Sequence, residues 1–171
     1  MEKYAIHWPQ FFTATILNWN PILFCDTNKN IIVQSLKYLV EKRKIDLFSF
    51  VIMNNHIHLI WQILPPYNPH KIQHSFMKFT AQQIKFNLLK SNNNMLSELK
   101  VDAKDRKYQI WERNPLSVDL INEKRFIQKM SYIHFNPVKA KMCSFPEEYH
   151  YSSAKFYERG IDDFNLLKSY Y

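Results

Sequence analysis

The apolar positions of the chain change period several times, and each change marks an element. QFFTATILNW at 10–19 concentrates β-branched and aromatic residues and predicts a first strand. In NIIVQSLKYLVEKRK at 30–44, Ile32, Leu36, Leu39 and Val40 recur at helical spacing, and a basic last turn suits the helix dipole. Two apolar runs follow, IDLFSFVIM at 45–53 and HIHLIWQI at 56–63. They read as strands joined by Asn54-Asn55, a pair able to take the positive φ angles of a tight hairpin, and Pro65-Pro66 stops the second. From 68 to 90, Ile72, Phe76, Phe79 and Phe86 predict a long helix, with Lys71, Lys78 and Lys85 as a basic stripe on another side. Residues 91–107 are polar and irregular, and 108–121 contain a strand with its turn. Asn122 can cap a helix over 123–135 that Pro137 is expected to end, and the tail reads as a loop and a short helix. The order β-α-β-β-α-β then helix predicts an α+β fold, a ferredoxin-like split β-α-β plait with its helices on one face of an antiparallel sheet, in a single domain spanning 1–171.

Composition narrows the function more than the fold. Lys and Arg exceed Asp and Glu to give a formal net charge of +8, which makes a polyanion the first partner to consider. Gly160 is the only glycine, so the glycine loops that cradle phosphates in P-loop and Rossmann proteins are excluded; the abundant asparagines can take left-handed turn positions instead. Cys25 and Cys143 form no metal-binding spacing and read as reduced packing residues. No apolar stretch is long enough to span a membrane and MEKYAIHWPQFF does not look like a signal peptide, so a cytoplasmic location is expected.

Two constellations carry candidate chemistry. Side chains two apart on a strand emerge on one face, so His56 and His58 point together, either as two metal ligands or as a hydrogen-bonded pair near a strand end. In KMSYIHFNPVK at 129–139, Tyr132 and Asn136 lie one helical turn apart on a common face, either as a paired phenol and amide or as a packing residue and a polar residue before proline. His134 points away from Tyr132 and reads as structural or surface.

MNNHIHLIW, followed some seventy residues later by YIHFNPVKA and then YSSAKFY, resembles the REP-associated tyrosine transposases and their relatives, the single-tyrosine HUH transposases of small insertion sequences. The strand-helix opening and FMKFTAQQIKF in the long helix fall in the same order. MNNH stands where the family often has a proline-containing version, a departure confined to the turn. The resemblance implies a metal-dependent DNA strand transferase in which His56, His58 and Asn136 bind Mg²⁺ or Mn²⁺ and Tyr132 is the nucleophile. Its substrate would be single-stranded DNA with a hairpin, cut and rejoined through a 5′-phosphotyrosine link without ATP. Lys71, Lys78 and Lys85 would track a DNA backbone and Trp61 or Trp111 would stack bases. The alternatives are a domesticated nucleic-acid-binding relative that no longer cuts, and a metal-dependent phosphodiesterase that uses water. A monomer is favoured over a homodimer.

Overall fold

The alternation of buried and exposed positions forms a sheet whose two faces pack against different helices. The computed structural model describes residues 7–91 and 94–171. The first six residues, on which the reading of the N-terminus partly rests, lie outside the described residues. Four strands, β1 (Gln10–Thr15), β2 (Ile45–Ile52), β3 (His56–Ile63) and β4 (Leu116–Asp119), pair antiparallel in the order β2-β3-β1-β4. With α1 (Asp26–Glu41) between β1 and β2 and α2 (Pro69–Lys90) between β3 and β4, this is the expected plait. One sheet face, with Phe12, Ala14, Leu59 and Trp61, joins the core formed with Ile32, Leu36, Phe76 and Ile84 of α1 and α2. The other face, with Phe11, Val51 and Ile60, is covered by Phe126, Met130 and Ile133 of α3 (Glu123–Lys139). A final short helix, α4 (Ala154–Arg159), follows.

The predicted boundaries hold best where hydrophobic periodicity and capping agree. β3 and α2 begin and end within a residue of expectation, and the Asn68 side chain caps α2 by accepting from the Lys71 N–H. Asn122 caps α3 in the same way, through Arg125.

Three local expectations are corrected. The first strand stops at Thr15, because Asn18 and Trp19 take φ of 55° and 56° and turn the chain off the sheet. Asn54 and Asn55 do not take positive φ; their carbonyls instead accept from Leu23 and Ile16, which ties the β2–β3 turn to the segment after β1. Pro137 does not end α3, which runs through it to Lys139. The missing proline N–H removes one helical bond. Burial of the ring, together with bonds from Ala140 N to Asn136 O at 3.0 Å and Met142 N to Pro137 O at 3.0 Å, keeps the last turn wound. Cys25 is also exposed rather than packed.

Candidate functional site

The site forms where the C-terminal end of β1, the start of β3 and one stripe of α3 meet. Strand pairing sets Thr13 opposite His58 and Thr15 opposite His56, and the two-residue period turns both imidazoles to the face that α3 covers. On α3 the buried residues Phe126, Met130, Ile133 and Pro137 seat the helix. That seating leaves Lys129, Tyr132, Asn136 and Lys139, spaced three, four and three apart, as a second stripe.

The rings converge closely. His56 and His58 lie with centroids 4.8 Å apart, and Tyr132 stands edge-on to His58 at 5.2 Å. Phe11 stacks on His58 at 5.4 Å and meets Tyr132 at 6.0 Å, forming the floor between them. Burial lowers the His56 pKa, and the Asn136 side chain partly offsets that lowering. Lys129 and Lys139 each place an ammonium 5.6 Å from the Tyr132 ring centroid, so two positive charges stand beside the phenol.

Each histidine has one nitrogen fixed. His56 Nδ1 lies 2.7 Å from Asn55 Oδ1, and His58 Nδ1 lies 2.7 Å from Thr13 Oγ1. His58 Nε2, by contrast, is buried with no hydrogen-bond partner. A buried nitrogen with a free valence is costly unless something binds there. Burial, then the neighbouring His56 and Lys129, hold the His58 pKa down at about 3, so its ring is neutral at ordinary pH. With the Nδ1 proton given to Thr13, Nε2 presents a lone pair, the form in which imidazole binds a metal. No third histidine, cysteine or carboxylate joins the pair among the described residues. A cation there would take oxygen ligands, and Asn136 supplies an amide oxygen. The donor set therefore fits a divalent ion with open positions.

Tyr132 also differs from the tyrosines near it. The hydroxyls of Tyr149, Tyr151 and Tyr157 are committed to Ile52 O, Asn30 Oδ1 and Phe48 O, at 2.8, 3.2 and 2.8 Å. Tyr132 is 41% exposed, and its hydroxyl makes no hydrogen bond to any described residue. It is free to meet a substrate.

His134 proves structural, as its position two residues from Tyr132 suggests. Its Nε2 lies 2.9 Å from Ser153 Oγ and 3.2 Å from Ser49 Oγ, a part-buried polar clasp that fixes α3 on β2. Ser153 of YSSAKFY thus supports the site from behind. Burial lowers the His134 pKa to about 4. His134 and His58 are neutral in the folded chain, whereas an unfolded chain protonates them below about 6.5. Their contribution to stability is complete above that pH and is lost as the pH falls towards the folded values. Between pH 7.5 and pH 5, urea unfolding with chelator present is expected to show a loss of about 2 kcal/mol per histidine. A urea midpoint flat across that range would mean that both rings are hydrated.

The expected nucleic-acid residues divide. Lys71 and Lys78 are exposed, while Lys85 is half-buried, with its ammonium 5.4 Å from the Phe86 ring centroid. Lys78 and Lys85 line a groove of about 1140 Å³ between α2 and residues 105–115, together with His70, His74, Arg106 and Arg113. The groove shares no residue with the histidine–tyrosine cluster. Trp61 and Trp111 are corrected as base-stacking candidates. Trp61 is wholly buried between Phe12 and Phe76, and Trp111 is buried with its indole N–H donating to Thr80 at 3.0 Å. Parity alone shows the reason for Trp61, which stands three residues from His58 and so faces the opposite side of the sheet. The exposed indole beside the histidines belongs instead to Trp19, 5.8 Å from His56, which the reading of 10–19 as one strand concealed.

No helix among the described residues is long and apolar enough to cross a membrane. A comparison with curated proteins returns no significant match. Residues 20–101 match the family described as "Transposase IS200 like", a range that contains both histidines and ends before Tyr132. Among solved structures, the fold matches a REP-associated tyrosine transposase bound to a REP hairpin, with a TM-score of 0.67 and 16% identity over 99% of this chain and 90% of that one. It also matches a Deinococcus radiodurans protein described as a candidate transposase, with a TM-score of 0.51 and 12% identity over 78% of this chain and 93% of that one. Both comparisons agree with the resemblance read from the sequence: residues 20–101 are similar to the IS200-like transposases, and the chain shares the fold of a REP-associated tyrosine transposase.

Proposed function

We propose that this protein is a metal-dependent DNA transposase that cuts and rejoins single-stranded DNA at hairpin-marked, REP-like sites through a 5′-phosphotyrosine link. The observation that carries this reading is the unpartnered, buried Nε2 of His58 beside Tyr132, whose hydroxyl is uncommitted. The fold shared with a transposase bound to a REP hairpin supports the choice of substrate.

In this reading His56, His58 and Asn136 hold Mg²⁺ or Mn²⁺. When bound, the cation draws charge from the non-bridging oxygens of the scissile phosphate and eases departure of the 3′-oxygen. Lys129 and Lys139 attract the same phosphate and hold it over the phenol. Tyr132 oxygen bonds to phosphorus as the phosphorus–3′-oxygen bond breaks. The phenolic proton passes to solvent, and the departing oxygen takes up a proton as a 3′-hydroxyl. Because the new bond is still a phosphodiester, another 3′-hydroxyl can attack it and restore Tyr132. Without this activation a phenol is a poor nucleophile at neutral pH.

Incubation with a hairpin-bearing single-stranded oligonucleotide and Mn²⁺, followed by a denaturing protein gel, tests the reading. A covalent protein–DNA band is the expected result. A free 5′-phosphate with no band would indicate hydrolysis by water, and intact bound DNA would indicate a non-cutting binder.

A further inference from the structure

Trp19 is 61% exposed, a costly placement for an indole, and the chain makes specific arrangements to keep it there. Asn18 and Trp19 both adopt left-handed backbone, which non-glycine residues seldom do, least of all bulky ones. Three hydrogen bonds hold the turn. Trp19 N–H donates to Ile16 O at 2.9 Å, Asn18 N–H to Glu112 Oε1 at 2.8 Å, and Asn55 Nδ2 to Trp19 O at 3.3 Å. The third bond matters most, because the oxygen of the same Asn55 side chain lies 2.7 Å from His56 Nδ1. One amide therefore fixes the tryptophan backbone and a site histidine relative to each other. The indole meets His56 edge to face, with centroids 5.8 Å apart and planes at 69°, and no other aromatic ring or cation contacts it among the described residues.

A rigid, half-bare aromatic surface next to a phosphate-cleaving centre suits one ligand chemistry above others, the flat face of an unpaired nucleobase. We propose that Trp19 is a stacking platform for a single unpaired base of the strand adjoining the scissile phosphate, so that the strand enters the site in a fixed register. This deepens the proposed function and rests on it. The platform binds the base through its π face, so it sets position along the strand more than base identity.

The test uses the full chain carrying Tyr132→Phe, so that binding is read without cleavage. A fluorescent hairpin oligonucleotide is made as a series, with an abasic site moved one position at a time through the single-stranded flank, and affinity is read by fluorescence anisotropy. With Trp19 present, one position is expected to weaken binding by about 5- to 100-fold when its base is removed. With Trp19→Ala that position becomes insensitive, within about twofold, and Trp19→Phe restores most of the sensitivity. Trp8→Ala serves as the control, since Trp8 is also exposed but precedes the opposite end of β1. Abasic profiles that coincide for Trp19 and Trp19→Ala, a profile lost equally with Trp8→Ala, or no oligonucleotide binding at all would overturn the platform. An intact Trp19-dependent profile with no covalent band from the unmodified protein would leave the platform standing and remove the strand-transfer reading.

Discussion

Tyr132→Phe is expected to lower formation of the covalent protein–DNA adduct by at least about 1000-fold, since removal of a nucleophile eliminates the chemical step rather than weakening it. The substitution is a clean one here. It deletes a hydroxyl that has no hydrogen bond to a described residue, and it preserves a ring that meets Phe11 and His58 edge-on. The two lysines over that ring keep an aromatic face to contact. Folding stability should therefore move by no more than about 0.5 kcal/mol, and affinity for the hairpin oligonucleotide should be retained. Tyr149→Phe gives the opposite pattern. It removes a half-buried hydroxyl bonded to Ile52 O and leaves that carbonyl short of a partner, so it should cost about 1 kcal/mol of stability without touching adduct formation. Denaturing gels and urea titrations of the two variants separate the roles, and an adduct that survives Tyr132→Phe would move the chemistry to another residue.

The sequence carries the pieces of this site more plainly than their meeting. Strand period alone brings His56 and His58 to one face, and helical period alone aligns Tyr132 with Asn136. Neither period relates a strand at 56–63 to a helix at 123–139. That contact is made by tertiary packing, Phe126, Met130 and Ile133 against Phe11 and Ile60, and before the structure only the family resemblance implied it. The errors follow from local rules overridden in the same way. Pro137 is predicted to stop a helix because a proline removes a hydrogen bond, yet its burial and the bonds around it carry α3 onward to Lys139. Trp61 is offered as a base-stacking surface because tryptophan suits that role, although the strand period already turns it into the core. Trp19 goes unnoticed inside an apolar run, even though the neighbouring asparagines and Pro21 in NWNP mark a turn rather than a strand.

His58→Phe is expected to lower Mn²⁺-dependent adduct formation by at least about 100-fold while leaving stability in chelator within about 1 kcal/mol of the unmodified protein. The two results together are diagnostic. A histidine kept for structure would lose its bond to Thr13 on substitution and destabilise the fold. His58, however, already carries a buried nitrogen with no partner, so an apolar ring of similar size in the same slot, stacked on Phe11, removes one unsatisfied group while it loses one bond. The metal response should show the difference directly. A cation that binds only the folded chain stabilises it by about 2.7 kcal/mol at a hundred times its dissociation constant, so Mn²⁺ should raise the unfolding temperature of the unmodified protein and of Tyr132→Phe. The same addition should leave His58→Phe unmoved, and Asn136→Ala should respond only at higher Mn²⁺. Equal thermal shifts in the unmodified protein and His58→Phe would show that the ion binds elsewhere. The orphaned nitrogen would then be a packing cost with no bearing on catalysis.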